Sequence, residues 1–245
     1  SYLVGSGIEK ESGLAYNQRT MYGHAIATIA MCEAYILSKD KNLKSYAEGA
    51  TQYILNTQHK DGGWRYRPDE PGDVSSSAWQ IMALKCAKMA GIEVPQEALE
   101  RASKFLTSVE ADYGAQYGYR PEEAEPRRSL TAAALLCRVY LGWDKETTAL
   151  VQGAELVADW GPDPESIYYN FYATLLMQHY GEPYWKKWAT QVQKELLAQQ
   201  SQEGCERGSW IFLRDPGSLK GGRLYSTALA ILTLEFRYAP ILSQR

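Results

Sequence analysis

The sequence predicts an all-α fold, a single domain over residues 1–245 built as an α/α toroid, a ring of helical hairpins with inner and outer helices alternating. Three observations predict it: alanine-rich segments recur along the chain, charged amphipathic segments alternate with them, and the long connections repeat too. Self-similarity of this kind decides the architecture before any single element is considered. "HAIATIAMCEAY" (24–35) and "SAWQIMALKCAK" (77–88) superpose at an offset of 53 (78 − 25), with Ala25 on Ala78 and Ala30 on Ala83.

Related segments follow as "SLTAAALLCRVYLGW" (129–143), "YYNFYATLLMQHYG" (168–181) and "LYSTALAILTLEFRY" (224–238). Each is apolar on most faces, so each reads as a helix enclosed on both sides, which makes about five inner helices. Between them lie "KNLKSYAEGATQYILNTQ", "PQEALERASKFLTSVE", "KETTALVQGAELVADW" and "EPYWKKWATQVQKELLAQQ", amphipathic and charged, the outer layer. Pro95 and Pro183 sit near the starts of two of these, where a missing N–H costs nothing. The alternation is that of a solenoid or ring of α-hairpins.

The connections carry their own repeat. "YRPDE" (66–70) returns as "YRPEE" (119–123), again 53 residues on, although loops ordinarily diverge faster than the elements they join. "QHKDGGW" (58–64) is echoed by "QEGCERGSW" (202–210). Gly62, Gly63 and Gly208 are expected to take the positive φ that ends a helix and turns the chain. Trp64 and Trp210 are then expected to pack flat on a neighbouring hairpin, each N–H reaching a helix-end carbonyl.

Bulk composition excludes several classes. A domain of 245 residues buries roughly 70–75% of its unfolded surface, so a core forms without staples. A net charge of −3 offers no basic field for a polyphosphate backbone, so no nucleic-acid partner is expected. Apolar runs such as Thr131 to Leu136 fall far short of the ~20 residues of a membrane span. Ser1 follows neither an initiator Met nor a signal pattern, so the chain reads as a fragment of a longer one, cytoplasmic or periplasmic. Cys32, Cys86, Cys137 and Cys205 are widely spaced and read as small core residues, with no metal and no cofactor expected.

"GATQYILNTQHKDGGW" (49–64), with Gln58, Gly62, Gly63 and Trp64, resembles the QW repeat of squalene-hopene and other terpenoid cyclases and of protein prenyltransferase β subunits. "LLAQQSQEGCERGSW", with Gly208 and Trp210, is a weaker copy. Within that superfamily the chain is similar to planctomycete-type prenyltransferase and squalene-oxidase-repeat proteins. The resemblance implies an α/α toroid with inner helices lining a central cavity. Cyclases of this pattern carry Asp-x-Asp-Asp-Thr-Ala at an inner helix start, and the matching stretch here is Asp73-Val74-Ser75-Ser76-Ser77-Ala78. Only Asp73 and Ala78 remain, and a serine hydroxyl is far too weak an acid to protonate an alkene. The transferase zinc site is implied at the same address, but Ser75 replaces its thiolate, and Tyr225 and Ser226 stand where its His belongs. "GCER" (204–207) matches the thioester motif of complement-type proteins too poorly to carry it.

If the inner helices run parallel, their N-termini converge on one mouth. The residues expected to line it are Tyr22, His24, Ser75, Ser77, Trp79, Arg128, Tyr169, Asn170, Arg223 and Tyr225, with Arg19 and Arg127 nearby. Helix N-termini and guanidinium forks favour an anion or a polyhydroxyl group. Each residue also has a structural reading: the serines as N-caps, His24 as a hydrogen-bonded core residue, Arg127 and Arg128 as partners of Glu122, Glu123 and Glu125. Asp73 is the one carboxylate placed at an inner helix start. The expected function is therefore a non-catalytic module binding a small molecule, glycan or peptide in the mouth, or other domains of its parent chain. The alternative is an enzyme of altered chemistry, isoprenoid cyclase- or transferase-like or polysaccharide lyase- or hydrolase-like, using Asp73 as its catalytic group.

Overall fold

The computed structural model describes residues 2–16 and 20–235. Among them the elements are α1 (Tyr2–Ser6), β1 (Ile8–Lys10), β2 (Gly13–Ala15), α2 (Met21–Ser38), α3 (Lys41–Asn56), α4 (Val74–Met89), α5 (Gln96–Thr107), β3 (Glu110–Ala111), β4 (Gln116–Tyr117), α6 (Arg128–Tyr140), α7 (Thr148–Trp160), α8 (Ile167–Tyr180), α9 (Tyr184–Gln199) and α10 (Pro216–Glu235). The chain is all-α in class, with the expected alternation of buried and amphipathic helices. α4 and α8 are buried over most of their length, whereas α3, α5 and α9 bury a single face. Two compact units are distinguished, one of residues 1–111, 117–126 and 137–143, the other of 112–116, 127–136 and 144–245.

In the first unit α2 packs on α3 and α4. Alanines and cysteines with no exposed surface (Ala25, Cys32, Ala83, Cys86, Ala87) fill these helices, because small side chains let helix backbones approach closely. The side chains also tie one inner helix to the previous one. Gln80 donates through Nε2 to the Met21 carbonyl at 2.9 Å, Cys86 through Sγ to the Ile29 carbonyl at 3.8 Å, and Cys137 to the Ala78 carbonyl at 3.9 Å. An antiparallel hairpin that the sequence pattern did not signal, β1 paired with β2 in the register Ile8 to Ala15, precedes α2 and packs on α3.

The repeated loops have a backbone reason to repeat. The Tyr66 carbonyl accepts the first N–H of α2, from Met21 at 2.9 Å, and the Tyr119 carbonyl accepts the first N–H of α4, from Val74 at 3.0 Å. Donor and acceptor both advance by 53 residues (74 − 21, 119 − 66), so each "YRP" loop supplies an acceptor to an otherwise orphaned helix-start donor. The two tyrosines also touch, their hydroxyls 3.2 Å apart.

The tryptophans behave as expected of their N–H groups: Trp64 Nε1 donates to the Ile54 carbonyl at 2.8 Å and Trp210 Nε1 to the Leu196 carbonyl at 2.7 Å. Gln58 donates to the Gly62 and Ala98 carbonyls, and Gln200 to the Gly208 carbonyl. Gly62 (φ 93°) and Gly208 (φ 86°) take the left-handed backbone, but Gly63 does not. Gly63 is small for a different reason: a Cβ there would sit 2.9 Å from both the Gly72 Cα and the Phe105 ring.

In the second unit α8 packs on α7, α9 and α10. The expected helix 224–238 begins earlier, as α10, and is broken at Gly222 (φ 63°) into two pieces. Its last expected residues, 236–238, lie outside the described residues, as does Arg19. No helix among the described residues is long and apolar enough to cross a membrane.

Candidate functional site

The polar residues at the inner helix starts follow a positional rule. Thr20, Asp73 and Ser166 are N-caps, and each accepts the N–H three residues on, from Gly23, Ser76 and Tyr169. One residue further, four past the cap, the side chain reaches back to the backbone of the preceding connection. Ser77 accepts the Trp64 N–H at 2.9 Å and donates to the Trp64 carbonyl at 3.2 Å. Asn170 accepts the Asp163 N–H at 2.8 Å and donates through Nδ2 to the Asp163 carbonyl at 2.7 Å. Thr227 brackets Trp210 in the same way, at 3.0 and 3.3 Å.

His24 occupies the corresponding place in α2. Its Nδ1 lies 3.0 Å from the Tyr16 backbone nitrogen, which can only donate, so the ring is the Nε2–H tautomer and gives its proton to the Ala50 carbonyl at 3.0 Å. Burial pushes the His24 pKa down to about 4 despite both contacts. Three of the side chains expected to bind ligand, His24, Ser77 and Asn170, are thus clasps that hold a connection onto a helix. The reason is the orphan polar groups that a buried connection carries.

Asp73 anchors the start of α4. It has no exposed surface. Its Oδ1 accepts the Ser76 N–H at 2.7 Å and the Ser75 hydroxyl at 2.7 Å, and its Oδ2 accepts the Ser76 hydroxyl at 3.2 Å. Arg65 Nε stands 3.8 Å from Oδ2, beyond hydrogen-bond reach. Burial raises the carboxyl pKa and outweighs the hydrogen bonds from Ser76, Ser75 and Tyr119, which lower it. Tyr119 in turn has its hydroxyl against Tyr66, whose ring stacks on Tyr22 with centroids 5.8 Å apart. Around Asp73 the first unit therefore assembles Ser75, Tyr22, Tyr66, Tyr119 and Arg65, partly exposed, while Trp79 is buried.

The remaining expected residues lie in the second unit. The exposed Arg128 lays its guanidinium over the Trp160 ring at 5.4 Å. Tyr169 is fully buried, donates to the Gly161 carbonyl at 3.1 Å and meets Trp188 edge-on. Arg223 holds the 201–209 turn through Ser201, Ser209 and Glu206. It precedes its clasp, Thr227, by four residues, as Asp73 precedes Ser77, so a cation stands at the address of the carboxylate. Tyr225 is covered by Gly217 and Gly221, where added Cβ atoms would meet its side chain at 2.4 and 2.5 Å.

A second buried carboxylate escaped the sequence reading. Asp215 has no exposed surface, caps Gly217 and Ser218 through Oδ1, and through Oδ2 accepts the Ser166 hydroxyl and the Tyr168 N–H. "DPGS" (215–218) carried the signal, a capping Asp followed by Pro at the first helical position. A cleft of about 230 Å³ in the same unit is lined by Ala158, Asp159, Pro183, Tyr184, Lys187, Trp188 and Gln191, and by none of the expected residues. Among the described residues no cluster of His, Cys, Asp and Glu is arranged to hold a metal.

Residues 25–111 match the family model of the squalene-hopene cyclase N-terminal domain. The drimenyl diphosphate synthase of Streptomyces showdoensis is 34% identical over 95 residues, which are 39% of this chain and 17% of that protein. Over residues 25–111, about a third of the chain, the sequence is thus similar to the squalene-hopene cyclase N-terminal domain. The stretch shared with the synthase spans about a sixth of that relative's length.

Proposed function

We propose that this chain is a non-catalytic binding module on a terpenoid cyclase-like frame. The observation that carries the reading is Asp73: the one carboxyl left of the cyclase acid motif is wholly buried and committed to the start of α4 by Ser75, Ser76 and Tyr119. An acid must touch the atom it protonates, and a cap with no exposed surface does not. The partly exposed Tyr22 and Tyr66 rings, with the Ser75 and Tyr119 hydroxyls and Arg65 beside them, form an aromatic face edged by polar groups. That combination suits the ring of a small molecule or glycan, or an aromatic peptide side chain.

One observation favours a second reading, that of an enzyme with Asp73 as proton donor: burial raises the Asp73 pKa, as a general acid requires. The similarity to a diphosphate synthase points the same way. A panel of isoprenoid, uronate and glycan compounds separates the two. The binding module retains bound compound in native mass spectrometry, loses it in Tyr22→Ala or Tyr66→Ala, and turns nothing over. Product formation by the wild type that disappears in Asp73→Asn establishes the enzyme instead.

A further inference from the structure

Cys32 and Cys86 meet inside the first unit, on α2 and α4. Both have no exposed surface. The Cys86 Sγ lies 3.8 Å from the carbonyl of Ile29, which is one turn before Cys32 on α2. The Cys32 side chain is also the leading influence on the Cys86 thiol, raising its pKa. The two helices pack directly on one another, and both are rich in alanine, so little bulk separates their backbones.

We propose that Cys32 and Cys86 are a disulfide-forming pair that staples α2 to α4 when the chain folds in contact with a small-molecule disulfide such as oxidised glutathione. The Cys32 thiolate attacks one glutathione sulfur, forming a mixed disulfide and releasing one glutathione thiolate. Cys86 gives its proton to solvent and attacks the Cys32 sulfur, and the second glutathione leaves as thiolate. Two protein thiols are oxidised and one glutathione disulfide is reduced to two thiols, so protons and electrons balance.

Timing follows from burial. The neighbouring Cys32, then burial and Glu33, hold the Cys86 thiol in its protonated form, which is a poor nucleophile, so the folded pair is inert and the bond is made while the chain folds. Selectivity follows from geometry, because the Cys137 thiol is aimed elsewhere, at the Ala78 carbonyl. The crosslink closes a long loop, which restricts the unfolded chain.

The test refolds the full chain from denaturant in a glutathione redox buffer and, in parallel, under full reduction, then alkylates it under denaturing conditions. The expected result with oxidant is a chain lighter by about 2 Da, the two thiol hydrogens. Cys137 and Cys205 are alkylated, and one crosslinked peptide joins Cys32 to Cys86. The midpoint of denaturation is higher than that of the reduced chain, and Cys205→Ser leaves the crosslink intact. Alkylation of all four cysteines after oxidative refolding overturns the proposal, as does a crosslink map that pairs Cys32 or Cys86 with Cys137 or Cys205.

Discussion

Trp64 and Ser77 hold each other by two hydrogen bonds, the Trp64 N–H to the Ser77 hydroxyl and that hydroxyl back to the Trp64 carbonyl. The same two-point hold joins Trp210 to Thr227 and Asp163 to Asn170. Ser77→Ala strands a buried N–H and C=O, and is expected to cost about 1–3 kcal/mol. Ser77→Thr keeps the hydroxyl that Thr227 uses and is expected to cost less than half of that. Urea denaturation of both variants checks the pair; equal losses contradict it.

His24 makes the protein sensitive to acid. With its folded pKa at about 4 and an ordinary value of 6.5, the unfolded chain binds the extra proton across that interval. Stability on this account is full above pH 6.5, falls as the pH drops towards 4, and loses on the order of 3 kcal/mol in total. Asp73 acts with the opposite sign, since its raised pKa makes the folded chain the better proton binder just above the ordinary carboxylate range. NMR titration of the imidazole separates the two, and a His24 midpoint near 6.5 contradicts the clasp.

Arg138 is a buried cation with its fork filled. It donates to the Tyr117 hydroxyl, the Ser103 carbonyl and hydroxyl, the Thr107 hydroxyl and Glu110, with Trp143 4.7 Å from its guanidinium. Arg138→Met leaves these partners unpaired and is expected to destabilise by about 3–5 kcal/mol. Arg138→Lys keeps the charge but not the planar fork, so it rescues only part of the loss. Full rescue by Lys in a denaturation series contradicts this account.

Two glycines of the repeated turn differ in what surrounds them. Gly62 and Gly208 both have positive φ, a strain of about 1–2 kcal/mol for any other residue. A Cβ at Gly62 would also lie 2.0 Å from the Arg101 carbonyl oxygen, whereas at Gly208 it meets open space. Gly208→Ala is therefore expected to fold with a modest loss, and Gly62→Ala to lose much more. Thermal melts of the two variants give the comparison, and similar midpoints contradict it.

The helices were legible because their apolar periodicity and their 53-residue repeat report burial directly. The clasps were not, because His24, Ser77 and Asn170 share no chemistry in the sequence; only their place four residues past a cap unites them. Gly63 was read as a turn glycine, and the structure replaces that reason with contact against Gly72 and Phe105. Asp215 was legible as a cap but was passed over, because its short helix is separated from the alanine-rich part of α10 by the break at Gly222. At Asp73 the sequence showed which acid motif had been lost, and the structure adds what holds the remaining carboxyl.

The role of Asp73 is the central claim, and Asp73→Asn tests it most directly, because Asn caps helices as well as Asp does and keeps the Ser76 N–H satisfied. The measurement is turnover of the isoprenoid, uronate and glycan panel by wild type and variant, alongside affinity for any compound retained in native mass spectrometry. The account predicts no turnover by either protein and the same affinity in both. Wild-type turnover that the folded Asp73→Asn variant lacks would contradict it.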